Sequence, residues 1–257
     1  MAIKKAVRTI QSHFWFLKEA KDEFYVTYRR LLRVPSEPFF RALPIISKHL
    51  SGSYVDVGGN IGQSIEAIRL FVPNAKIISF EPNPNLAGKL VRRYRRDANV
   101  EVRGVGLAAS NDRLKLYVPS YRGFVYDGLG SLDYNAARSW ICDDTVYFFR
   151  PDRLVVNEYD CLVEPLDAQG LINPIFIKID VEGTEYGVVR GGMETLRKYE
   201  PILLVEGFHE KPDLVKLTSS LGYEPYTFDG NGFIAGPSNT NSFLMTRARR
   251  DALQFQT

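Results

Sequence analysis

The stretch DVGGNIG, residues 56–62, sets an acid, three glycines and an asparagine where an apolar run ends and a helical pattern begins. Three later stretches repeat the arrangement. FEPNP at 80–84 carries Glu81, IDVEG at 179–183 carries Asp180 and Glu182, and VEGFH at 205–209 carries Glu206 and His209. A carboxylate at such a place can accept hydrogen bonds from a hydroxyl-bearing ligand, and an acid or an imidazole can take a proton from a reacting group. Gly58 and Gly59 let the backbone approach a ligand without a side chain between them, and the helix that follows offers free N–H groups.

The spacing narrows the ligand. A dinucleotide fingerprint, G-x-G-x-x-G, needs a glycine where Asn60 stands, so the pyrophosphate cradle is missing and a nicotinamide-dependent oxidoreductase is disfavoured. Glu81 ends the next apolar run, where an acid meets ribose hydroxyls in sheets of this kind. Ribose recognition without a phosphate cradle suits a nucleoside ligand that carries no phosphate, and S-adenosylmethionine meets that description.

These residues need elements to hold them. Residues 53–57 predict a strand, Ile61, Ile65 and Ile68 predict a helix over 62–72, and 76–81 and 84–96 predict the next strand and helix. A strand over 99–105 and an extended LKLYVP at 114–119 follow, then an irregular insertion over 120–150. The apolar IFIKID, 175–180, predicts a strand buried on both faces. A helix after Gly183, the strand PILLVE at 201–206, a helix over DLVKLTSSLG stopped by Gly222, and closing strands in YEPYTF, GFIA and SFLMT complete the pattern. Alternating β-α units imply a mostly parallel sheet covered by helices on both faces, with ligands bound beyond the carboxyl ends of its strands.

At 257 residues, 45% hydrophobic and 25% charged, the chain has the balance of a globular protein and no low-complexity tract. Cys142 and Cys161 have neither metal-ligand spacing nor the density of a secreted scaffold, and no apolar stretch is long enough to span a bilayer, so a cytoplasmic protein is expected. The net charge of +3 conceals an asymmetry, because residues 1–50 hold ten Lys or Arg against four acids. There Phe14, Leu17, Phe24, Tyr28, Leu31 and Leu32 recur at helical intervals while Lys18, Lys21, Asp22, Arg29 and Arg30 fall elsewhere on the wheel, with Pro35 to end the helix. Two uses stay open for this amphipathic segment. One is packing on the main domain or on a second copy, giving a homo-oligomer; the other is peripheral contact with the inner face of a membrane. A lone basic stripe without a binding module gives no reason to expect nucleic acid.

The motifs DVGGNIG, FEPNP, GLAAS (106–110), GLGSL (128–132), IKIDVEGTEYGVVRGG (177–192) and ILLVEGFH (202–209) together resemble the FkbM-type methyltransferases over about residues 50–246. The resemblance implies a class I, S-adenosylmethionine-dependent methyltransferase fold, Rossmann-like, with a mostly parallel seven-stranded sheet whose last strand is antiparallel. It implies O-methylation of a hydroxyl on a small-molecule or glycan acceptor, a saccharide, glycolipid or polyketide-like product. Asp56, Gly58, Gly59, Asn60 and Gly62 would then line the methionine end of the cofactor, Glu81 would hold the ribose and Asn83 would sit by the adenosine. Residues 1–48 lie outside the resemblance and read as a basic helical extension to a domain at 49–257.

Methyl transfer to a hydroxyl needs alignment of the acceptor and removal of its proton. Asp180, Glu182, Glu206 and His209 are the candidates for that work. Alternatively the same four hold a divalent cation, Mg²⁺ or Mn²⁺, that acidifies the acceptor hydroxyl. Gly130 and Ser131 in the insertion suit a loop that closes over substrate, and Tyr121, Phe124, Tyr126 and Tyr134 either stack on a sugar or pack among themselves. A chain that keeps the fold and binds cofactor without turnover, as a scaffold, is the competing class.

Overall fold

The computed structural model describes residues 2–254 except 15, 17, 19–23, 25, 26, 29, 30, 33 and 182. Glu182 and much of the helix expected to end before Pro35, including Leu17, Lys21, Asp22, Arg29 and Arg30, lie outside the described residues. The chain forms two compact units, a smaller one of residues 1–28 with 113–161 and a larger one of 29–112 with 162–257.

Helix α1 (Ala2–His13) opens the smaller unit. In the larger, α2 (Leu43–His49), β1 (Ser53–Val57), α3 (Gln63–Phe71), β2 (Lys76–Phe80), α4 (Pro84–Tyr94), β3 (Val100–Arg103) and the short β4 (Gly106–Leu107) follow in order. Strands β5 (Asp112–Tyr121) and β6 (Phe124–Val125), helix α5 (Tyr134–Ser139) and most of β7 (Leu154–Glu164) build the smaller unit. The larger unit is then completed by β8 (Pro174–Ile179), α6 (Glu185–Arg190), α7 (Met193–Tyr199), β9 (Ile202–Glu206), α8 (Pro212–Ser220), β10 (Tyr223–Phe228), β11 (Phe233–Ala235), β12 (Asn241–Thr246) and α9 (Arg247–Gln254).

Its sheet runs β11-β10-β12-β9-β8-β1-β2-β3. The five strands from β9 to β3 are mutually parallel, and β12 is antiparallel to both β9 and β10. The expected class I methyltransferase architecture is therefore present, with the last strand reversed. Strand β11 adds an eighth member at one edge, by an antiparallel hairpin with β10.

Strands β1 and β8 are buried along their whole length, which is why neither sequence alternates. Successive residues enter different cores. Tyr54, Phe176, Ile202 and Leu204 join Phe40, Leu43, Ile46, Ile65 and Ile68 in one. Val55, Val57, Ile177, Ile179, Leu203 and Val205 join Val188, Val189 and Leu214 in the other. Helix α4 starts as its sequence dictates: Pro84 occupies the first turn and the Asn83 side-chain oxygen accepts the Asn85 and Leu86 N–H groups.

The stretch between β4 and β8 is more ordered than its sequence suggests. Strand β7 was not expected, because Asn157, Glu158 and Asp160 break its apolar run, and only Cys161 and Val163 are buried in it. Helix α5 lies inside the stretch expected to be irregular, started by the Asp133 carboxylate, which accepts the Ala136 N–H. Tyr121, Phe124 and Tyr126 pack with Ile141 and Val146 as the core of this unit, the Phe124 and Tyr126 ring centroids 4.7 Å apart. Local packing is thus their role, and no open face is left on them for a sugar to stack on. Tyr134 remains exposed.

Candidate active site at the strand ends

Register places the first acid. In the sheet Asp56 stands opposite Ser79 of β2 on one side and Lys178 of β8 on the other. Its side chain is fully buried, with Oδ2 accepting from the Ser79 hydroxyl at 2.9 Å and Oδ1 without a hydrogen-bond partner in ordinary geometry among the described residues. Burial pushes the Asp56 carboxyl up, and the Lys178 ammonium pulls against it.

Lys178 is only 3% exposed, and its Nζ donates to Asp180 Oδ2 at 2.6 Å. Burial alone would lower its pKa, yet the charges of Asp180 and Asp56 outweigh that and raise it. Asp180 moves the other way: burial would raise it, but Lys178 and a hydrogen bond with the Glu206 side chain bring it below the usual carboxylate range. One lysine therefore lies between the acid of the glycine motif and the acid that follows β8. Adjacent parallel strands bring Asp180 and Glu206 together, as expected.

Glu81, at the end of β2, is buried, and its two oxygens accept the N–H groups of Asn60 at 2.7 Å and Asn83 at 2.8 Å. It is not a surface acid before a turn. Glu81 thus joins the two motif loops. The Asn83 side-chain nitrogen is buried without a hydrogen-bond partner among the described residues, while its oxygen caps α4.

The glycines have a reason in the protein's own packing. Gly58 has φ 96°, and a Cβ there would lie 2.0 Å from the Asp180 carbonyl oxygen; one on Gly59 would lie 2.5 Å from the Ser79 hydroxyl. Both N–H groups donate to the Phe80 carbonyl, which folds the turn over β2. Asn60 takes the left-handed conformation with φ 47°, and Gly62 starts α3.

His209 sits in a short 3₁₀ turn after β9, partly exposed, with its Nε2 3.6 Å from a Glu210 carboxylate oxygen. Among the described residues, no group of three or more His, Cys, Asp and Glu side chains is close enough to hold a metal ion. Gly130 and Ser131 lie in the smaller unit, where Ser131 and Tyr117 exchange two backbone hydrogen bonds.

Sequence reasoning passed over three residues that the structure makes central. Lys178 had a signal, being a cation inside a strand expected to be buried on both faces. Glu185, buried at the start of α6, accepts the Gly183 N–H and pairs with Lys211 Nζ at 2.9 Å. Lys211 also donates to the Glu206 carbonyl at 2.8 Å. The turn after β8 and the turn after β9 are thus tied through one ion pair. An open groove of about 780 Å³ lies at the other end of the strands, lined by Gly52, Ser53, Lys76 and Asn173 among others; it is remote from these acids and from the side of a parallel sheet that binds ligands.

Among solved structures, the chain is similar to a methyltransferase FkbM from Methylobacillus flagellatus KT, with a TM-score of 0.47 and 19% identity over 76% of this chain and 43% of that one. It therefore spans less than half the length of that relative. It is also similar to a putative caffeoyl-CoA O-methyltransferase from Staphylococcus aureus, with a TM-score of 0.45 and 9% identity over 96% of this chain and all of that one. A third similarity is to fibrillarin from Aeropyrum pernix in complex with S-adenosyl-L-methionine, with a TM-score of 0.42 and 10% identity over 80% of this chain and 76% of that one. No curated protein matches the sequence. The sequence model of the methyltransferase FkbM domain matches residues 56–225, from the first strand-end acid to the start of β10, and the chain belongs to the FkbM methyltransferase family.

Proposed function

We propose that the larger unit binds S-adenosylmethionine at the ends of β1 and β2 and methylates a hydroxyl of a small-molecule or glycan acceptor. The observation that carries this reading is Glu81, a buried carboxylate at the end of β2 held by the amides of both motif loops, where a ribose would lie. Asp56, Gly58, Gly59, Asn60 and Gly62 form the surface for the methionine end, and Asn83 stands by the adenosine. The cofactor supplies an electrophilic methyl group. Asp56 and Asp180 give this end of the sheet the negative charge that a sulfonium needs nearby.

The remaining work falls to the chain. Asp180 is held below the usual carboxylate range by Lys178 and Glu206, which makes it a weak proton acceptor and suits it to orienting the acceptor hydroxyl. His209, three residues beyond Glu206, is the group we assign to proton removal. Glu182 completes the set of acids as the sequence places it. Among acceptors we favour a saccharide or another polyhydroxylated product, in keeping with the acids gathered at these strand ends, and we place the reaction in the cytoplasm.

Calorimetric titration with S-adenosylmethionine, followed by transfer of labelled methyl to fractionated host extract, tests the reading. Expected are binding and label in a hydroxylated small molecule or glycan, with His209→Ala abolishing transfer and leaving cofactor affinity unchanged. Binding without label in any fraction would assign the chain to the scaffold class instead. Absence of binding would overturn both.

A further inference from the structure

The face of the sheet that carries Lys178 continues past Asp180. Side chains along a strand alternate between faces, so residues two apart share one, and residues opposite each other on paired strands share it too. Asp56, Lys178, Leu204 and Phe243 stand in one such row across β1, β8, β9 and β12. Two positions nearer the ligand end, Glu206 of β9 stands opposite Asn241 of β12, while Asp180, bonded to Lys178, reaches the Glu206 side chain from the side of β8. Asn241 is therefore the next neighbour of these acids on that face.

Glu37 comes to the same place from outside the sheet. It immediately precedes the 3₁₀ turn Pro38–Ala42 and α2, whose Phe40, Ala42, Leu43 and Ile46 are buried in one core with Leu204 and Phe243, so the segment is fixed over this face. Its Oε2 lies 3.4 Å from Asn241 Nδ2. The ordinary duty of an acid at this position is to cap the turn, yet the Glu37 side chain makes no capping hydrogen bond. Its charge acts on the Lys178 ammonium, after those of Asp180 and Asp56, which puts the carboxylate within electrostatic reach of the site's central cation. Both Glu37 and Asn241 are half-buried, and both lie outside residues 56–225, the span that matches the family.

We propose that Glu37 and Asn241 contact the methyl acceptor and determine which acceptor is taken. Their chemistry suits a polyhydroxylated molecule, because a carboxylate accepts hydrogen bonds from hydroxyls and a carboxamide both donates and accepts. Their place excludes the nucleoside. Four strand spacings, about 19 Å, separate β12 from β2, whose end carries the Glu81 that we assign to the ribose. This inference rests on the methyl-transfer reading and adds to its acceptor end two residues from beyond the matched domain.

Steady-state transfer from labelled S-adenosylmethionine at saturation tests it, with the host-extract fraction that wild-type protein labels as the acceptor probe. Glu37→Gln is expected to raise the KM for that fraction at least about tenfold, and Asn241→Ala about fivefold, as hydrogen bonds to charged and to neutral groups differ. In both, kcat and the calorimetric affinity for S-adenosylmethionine should stay unchanged, the pattern of binding lost equally from ground and transition states. Because the two side chains would touch one acceptor, the double variant should raise KM by less than the product of the single effects. Unfolding midpoints should remain within about 2 °C of wild type, since neither side chain is fully buried. An unchanged KM in both variants overturns the proposal. So does cofactor affinity that falls in step with KM, which would move the pair to the cofactor, or a lowered midpoint with KM unchanged, which would leave Glu37 as a counterion of Lys178. In each of those results wild-type protein still transfers methyl and the methyl-transfer reading stands; wild-type protein that labels no fraction removes that reading and this inference together.

Discussion

Replacing Lys178 by Met removes a cation that is 3% exposed and lies between two carboxylates, while keeping the length of its apolar stem. Removing one partner of a buried ion pair leaves the other without compensation and costs about 3–5 kcal/mol. Asp56 is the residue left exposed to that cost, being fully buried. For a unit of this size each kcal/mol moves the midpoint by about 2–4 °C, so a drop of roughly 6–20 °C is expected at neutral pH. The pH dependence follows from two signs. Burial raises Asp56, and without Lys178 its folded pKa rises further; stability from such a group is present below its unfolded value of about 3.9 and lost as pH climbs through the folded value. Asp180 is lowered in the wild type, so its contribution is present above about 3.9 and fades as pH falls through its folded value. Both effects narrow the gap between variant and wild type on acidification. Scanning calorimetry across that range is the assay, with the Asp56→Asn/Lys178→Met double variant expected to recover part of the loss. A midpoint at neutral pH within a degree of wild type, or a gap that widens in acid, would refute the reasoning.

Other expectations rest on single contacts. Glu81→Ala should weaken S-adenosylmethionine binding at least about tenfold in calorimetry, because hydrogen bonds to a charged acceptor contribute about 1.5–3 kcal/mol each. Gly58→Ala should lower the unfolding midpoint markedly, since its Cβ would meet the Asp180 carbonyl in a left-handed backbone; wild-type stability would show that this turn gives way. Glu185→Ala removes both the charge facing Lys211 and the acceptor for the Gly183 amide, so hydrogen exchange in the turns after β8 and β9 should accelerate together. Independent exchange in the two turns would contradict the tie between them.

Much of the larger unit was legible because its signals are local. Glycine and proline at 58, 62, 84 and 222 mark turns that exist, and the apolar run at 175–180 announced a strand covered on both faces. The gathering of Asp180 with Glu206 needs the pairing of β8 with β9, which only the family resemblance implied. The role of Lys178 was not legible, because it depends on which residue of β1 lies opposite it, and register is a property of two segments together. Strand β7 was missed for a related reason: its inward residues are few, and its charged ones face solvent. Helix α1 precedes the amphipathic pattern, which begins at Phe14, and its seating depends on Thr9 and the distant Tyr147.

The lysine of β8 has a further consequence for how the chain finds its native pairing. PIFIKI is apolar on both sides, so hydrophobicity alone would let the strand slide by one position against β1 with little loss. A slip of that kind would carry the ammonium to the opposite face, among Val55, Val57 and Val205 and away from Asp56. Misaligned intermediates are therefore expelled by their own electrostatics, and the charge that helps shape the site also acts as a proofreader of assembly.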